Sequence, residues 1–77
     1  MNKLRRIEIS KVIDSLKDIV ESIEMIAESE QWSFDNLPEG LQCSERGETM
    51  EQNAEDLENI RDTIEQATDD LAEIIKR

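Results

Sequence analysis

Aliphatic residues recur along two stretches of this chain at the spacing of a helix face. In the first they fall at Ile9, Ile13, Leu16, Val20, Ile23 and Ala27, alternating steps of four and three, and Val12, Ile19 and Ile26 widen the stripe. A stripe that broad suits a helix facing a bundle rather than a narrow two-stranded seam. Asn2 can cap its start, and the pattern fades near Ser29 and Glu30, which predicts a helix over residues 3–30, about 42 Å long.

The second stripe runs Leu57, Ile60, Ile64, Ala67, Leu71 and Ile74, with Met50 and Ala54 upstream. Ser44 is a good N-cap for it. Glu45 and Glu48 lie in its first turn, Lys76 and Arg77 at its end, and both placements suit the helix dipole. The spacing predicts a helix over 45–76.

Residues 31–44 then form a connector that holds the only Pro, one of the two Gly and both aromatics. Asn36-Leu37-Pro38-Glu39 reads as a capped single helical turn, because Pro is tolerated where its missing N–H is not needed. Trp32, Phe34, Leu37 and Leu41 are too apolar for a loose linker and are expected to fold over the end of the helix pair. Two helices of matching length joined by a compact turn pack antiparallel. The fold class read from the pattern is therefore all-α: one domain, residues 1–77, an antiparallel two-helix hairpin with a structured connector. Each apolar face is too wide for one partner helix to cover. A homodimer forming a four-helix bundle completes the reading, with Ile13, Leu16, Val20, Ile23, Leu57, Ile60, Ile64 and Leu71 as its core.

Length supports the same expectation, since 77 residues bury proportionally little surface without a disulfide, a metal or a partner chain. Charge adds a direction. The formal net charge is −11. Lys3, Arg5, Arg6 and Lys11 make the start basic, and the hairpin register puts Lys3, Arg5 and Arg6 within reach of Asp69, Asp70 and Glu73. On the second helix Glu55, Asp56, Glu58, Asp62 and Glu65 form an acidic face. Such a surface repels nucleic acid and anionic membranes and attracts basic proteins.

The residues available for chemistry narrow the function further. His and Tyr are both missing, which removes the commonest general base and the commonest transition-metal ligand. A nucleophile would rest on Cys43 or a serine with no evident base. Glu21-x-x-Glu24, Glu55-x-x-Glu58 and Asp62-x-x-Glu65 have the spacing of the magnesium-binding pairs of all-alpha nucleotide pyrophosphohydrolases. Their phase places Glu21, Glu24, Glu55 and Glu58 on the solvent side of the stripes, away from any shared cavity. Gly40 and Gly47 are isolated, so no phosphate loop is formed, and no alternating acids followed by Gly make a calcium loop. The expectation is a protein that is not an enzyme and holds no cofactor or metal. Lone Cys43 excludes an internal disulfide and points to a reducing compartment. With no long apolar run and no signal-peptide pattern at Met1–Arg6, the cytoplasm is the expected location, with no membrane partner.

The stretch Asn36-Leu37-Pro38-Glu39-Gly40-Leu41-Gln42-Cys43-Ser44-Glu45-Arg46-Gly47-Glu48, followed by an acidic helix, resembles a connector of small acidic helical proteins encoded by bacteriophages and prophages. The resemblance covers about half the chain and implies a phage or mobile-element origin within a bacterial host, and no particular activity. In physical terms Asn36 and Ser44 cap, Pro38 starts a turn, Leu37 and Leu41 dock, and Gly47 permits close backbone approach. Trp32, Phe34, Leu37, Leu41 and Arg46 are the candidate partner-binding residues, an aromatic-plus-Arg set of the type enriched in interface hot spots. The functional expectation is a protein–protein interaction module acting as a homodimeric bundle. The alternative is an acidic DNA mimic or anti-defence inhibitor that binds a basic host or phage protein.

Overall fold

A computed structural model describes residues 1–77 as three helices and no strands: α1 over Lys3–Asp35, α2 over Glu39–Gln42 and α3 over Glu45–Lys76. The caps follow the sequence. Asn2 Oδ1 accepts from the Arg5 N–H at 2.8 Å, and Ser44 Oγ accepts from the Gly47 N–H at 3.3 Å. Each satisfies one of the orphan donors that open a helix. α1 and α3 pack along their lengths as an antiparallel pair, since Arg61 reaches Glu24 while Glu30 and Met50 share a groove nearer the connector.

The first helix runs farther than its apolar stripe. Residues 31–35, expected in the connector, belong to α1. Polar groups carry the helix past the stripe. Gln31 Nε2 donates to Asp35 Oδ1 at 2.9 Å, Asn36 Nδ2 donates to the Trp32 carbonyl at 2.8 Å, and Gln42 Nε2 reaches the Phe34 carbonyl at 3.2 Å. The Trp32 and Phe34 carbonyls, which also accept the Asn36 and Leu37 N–H groups at 3.1 Å, are thus held from two sides at the helix end. Asn36 consequently caps the end of α1 rather than the start of the Pro38 turn. That turn closes on Pro38 itself, whose carbonyl accepts from the Leu41 and Gln42 N–H groups at 2.8 and 3.1 Å.

Packing between the long helices uses rows of residues seven apart. The inner row is Arg6, Ile13, Val20, Ala27 and Phe34 on α1, and Gly47, Ala54, Arg61, Thr68 and Ile75 on α3. All six buried residues of the chain lie in it: Ile13, Val20, Ala27, Gly47, Ala54 and Thr68. Four of these carry no side chain larger than threonine's, and small side chains let helix axes approach closely. The seam on α3 is thereby rotated from the expected stripe. Arg61 and Thr68 sit in it, while Ile60 and Ala67 are exposed. Thr68 is admissible because its hydroxyl donates to the Ile64 carbonyl at 2.8 Å, and Arg61 because its stem covers apolar surface while the guanidinium reaches out.

Ion pairs also differ from expectation. Lys3, Arg5 and Arg6 make none with Asp69, Asp70 or Glu73; the pairs formed are Arg61–Glu24, Arg61–Asp62 and Lys76–Glu73. Arg6 lies in the inner row with its Nε buried and unpartnered, so its stem is spent on packing.

The outcome is a rod of 59 × 15 × 13 Å with a radius of gyration of 17.4 Å. A globular chain of this length would have a radius of about 11.5 Å.

Candidate functional site

The side of the rod on which a residue lies follows from its row. In an antiparallel pair, matching rows of the two helices flank the seam on the same side, and two clefts show this directly. One is lined by Lys17, Val20, Glu21, Glu24, Glu65, Thr68 and Asp69, all from the inner row or the polar rows beside it. The other is lined by Glu30, Glu45, Arg46, Thr49, Met50 and Asn53, from the opposite flank.

That opposite flank is apolar over most of its length. Next to the inner row comes a half-buried one: Ile9, Leu16 and Ile23 on α1, with Met50, Leu57, Ile64 and Leu71 on α3. Beyond it lies an exposed row: Val12, Ile19 and Ile26 on α1, with Ile60 and Ala67 on α3 and Ile74 half-covered. Ile26 is 57% exposed and Ile60 50%, values ordinary for a surface lysine and costly for a β-branched aliphatic. Single exposed aliphatics are common on proteins; a continuous face contributed by both helices is not. Of the expected dimer-core residues, Ile13 and Val20 are therefore buried within the hairpin. Leu16, Ile23, Leu57, Ile64 and Leu71 are half-covered, and Ile60 stands open.

The connector set is split. Phe34 and Leu37 are half-buried against the end of the pair, whereas Trp32 and Leu41 are exposed, Trp32 at 67%. Trp32 does not fold over the end because the extension of α1 carries it onto the outer surface of that helix, one heptad beyond exposed Met25. Arg46 is exposed beside the connector cleft.

Glu55, Asp56, Glu58, Asp62 and Glu65 are all exposed. Asp62 accepts from Arg61 at 2.9 Å, and Arg61 bridges across the seam to Glu24 at 3.4 Å. The Asp62 hydrogen bond raises the Arg61 pKa above its ordinary value; desolvation opposes this, and the charges of Asp62, Glu24 and Glu65 add to it. Arg61 is thus cationic at every pH at which the hairpin would be handled. Glu21 and Glu24, expected away from any shared cavity, instead line the polar cleft with Glu65 and Asp69. They flank inner-row Val20 on its polar side, and the seam's rotation on α3 sets Glu65 and Asp69 opposite them. Lys17 sits among them, and no three of the chain's Cys, Asp and Glu side chains converge as metal ligands would.

No protein-family model, curated protein or solved structure matches the chain. No helix of it is long and apolar enough to cross a membrane.

Of the small inner-row residues, the sequence pattern includes Ala54 in the stripe and Gly47 as a close backbone approach but misses Thr68 and the row that the three share. Their seven-residue spacing, in phase with Ile13, Val20 and Ala27, was the available signal.

Proposed function

We propose that this chain is a non-enzymatic protein–protein interaction module of phage or mobile-element origin, acting as a homodimeric helical bundle. The observation that carries the reading is the apolar flank running from Val12 to Ile26 on α1 and from Ile60 to Ile74 on α3. The area agrees with it: the chain exposes 5843 Å², whereas a compact monomer of 8.9 kDa exposes about 4,800 Å². The excess, roughly 1,000 Å², is comparable with the ~800 Å² that each partner covers in a standard stable interface. Its origin is the rod shape, which leaves each helix with one neighbour where a bundle would supply two. Size-exclusion chromatography with light scattering tests the reading: a particle of twice 8.9 kDa at micromolar concentration supports it, and a persistent 8.9 kDa monomer refutes it.

A second reading, an acidic DNA mimic that binds a basic host protein, draws on the distribution of charge. Residues 18–64 hold fourteen of the twenty acids against two arginines. Charge of that density steers basic partners. Competition with duplex DNA for a basic partner, lost steeply between low and moderate salt, separates this reading from one based on apolar contact.

A further inference from the structure

The charge of this protein is sorted along its long axis. Residues 18–64, the half of the rod that ends in the connector, carry fourteen acids and two bases, a net charge of −12. The open half, residues 1–17 with 65–77, carries six acids and seven bases, a net charge of +1. The antiparallel packing of α1 on α3 gathers these segments at opposite ends of a rod 59 Å long. The apolar flank runs through both halves, so it cannot by itself choose how a second copy lies on it.

We infer that the flank takes a second copy of this chain in the antiparallel orientation, the open half of each hairpin lying beside the connector half of the other. The inference rests on the homodimer reading and adds the orientation to it. Side-by-side docking with connectors together would place a net charge of −12 against another −12 across one helix diameter, about 10 Å, little more than the Debye length of about 8 Å at physiological salt. Antiparallel docking replaces that with −12 against +1 at both ends. Arg5, which continues the exposed row of Val12 and Ile19 toward the open end, then lies toward the connector half of the partner, where Glu30 and Asp56 border the flank. A dyad perpendicular to the rod makes the two contacts equivalent, as a closed two-chain assembly requires.

Cys43 reports on the orientation, since it is the only cysteine, is exposed and sits in the connector. A nitroxide label there, read by pulsed dipolar spectroscopy alongside light scattering, gives a distinct answer for each arrangement. With connectors at opposite ends the labels stand on the order of 50 Å apart, from the helical rise over the rod's length. That distance with a two-chain mass supports the inference. A two-chain mass with labels within about 25 Å, little more than two helix diameters, overturns the orientation and leaves the homodimer standing. A single-chain mass with no dipolar coupling, or a mass of three or more chains, overturns both. Far-UV circular dichroism of the labelled protein checks that the helices are intact.

Discussion

The two glycines offer a sharp test of how α2 and α3 fit together, because both lie within or beside helices and only one is required. At Gly47 an added Cβ would fall 2.5 Å from the Leu41 carbonyl oxygen and closer still to that of Gln42. Backbone atoms cannot swing aside as a side-chain tip can, so the connector must move. Movement strains the cluster in which Ser44 Oγ holds the Gly47 N–H and the Leu41 carbonyl accepts from the Ser44 N–H. Overpacking of this kind costs about 1–3 kcal/mol, and disturbance of the cap about 1 kcal/mol more. Alanine's better helix propensity returns about 1 kcal/mol. The net expectation for Gly47→Ala is destabilisation by about 1–3 kcal/mol. At Gly40 an added Cβ meets nothing within 4 Å, and no glycine has positive φ. Gly40→Ala is therefore expected to stabilise by about 0.5 kcal/mol through helix propensity and a less flexible unfolded chain. Urea unfolding followed by far-UV circular dichroism measures both, at one fixed protein concentration so that the proposed association contributes equally to each variant. A Gly47→Ala protein as stable as the parent, or a Gly40→Ala protein less stable, would refute the close approach deduced for the connector.

Further perturbations probe other parts of the rod. Ile19→Glu, in the exposed row, is expected to abolish the two-chain species in light scattering while the monomer keeps its helical spectrum; an unchanged mass would mean that the flank is not the interface. Arg61→Leu is expected to leave the urea midpoint unchanged or raise it, because a part-exposed ion pair contributes little and an inner-row leucine adds apolar burial; a clear fall of the midpoint in the same assay would contradict this. Raising salt from low to physiological concentration is expected to increase the melting temperature by screening the excess acids of the connector half, and a fall would show that attractive ion pairs dominate. Trp32→Ala is expected to change stability by less than about 0.5 kcal/mol, since the indole lies open on α1; a larger loss would place Trp32 inside an assembly.

Much of the secondary structure is determined by sequence alone. The alternating three- and four-residue steps of aliphatics fix two long helices, and Asn2 and Ser44 fix where they begin, because capping and periodicity are local properties of the chain. Local signals failed at the end of α1, where Gln42 crosses from the connector to hold the Phe34 carbonyl, a partner eight residues away. The seam on α3 was likewise ambiguous from sequence. Ile60 and Ala67 extend the aliphatic stripe as well as Arg61 and Thr68 interrupt it, and the choice between the two rows depends on what lies opposite. Packing against α1 chose the row of small side chains, since contact at short range between two helices outweighs burial of an extra isoleucine on one of them. That choice exposes Ile60 and leaves an apolar flank on one side of the rod, while the antiparallel fold-back gathers the acids of residues 18–64 at one end. Neither the flank nor the polarity exists until the two helices are laid against each other.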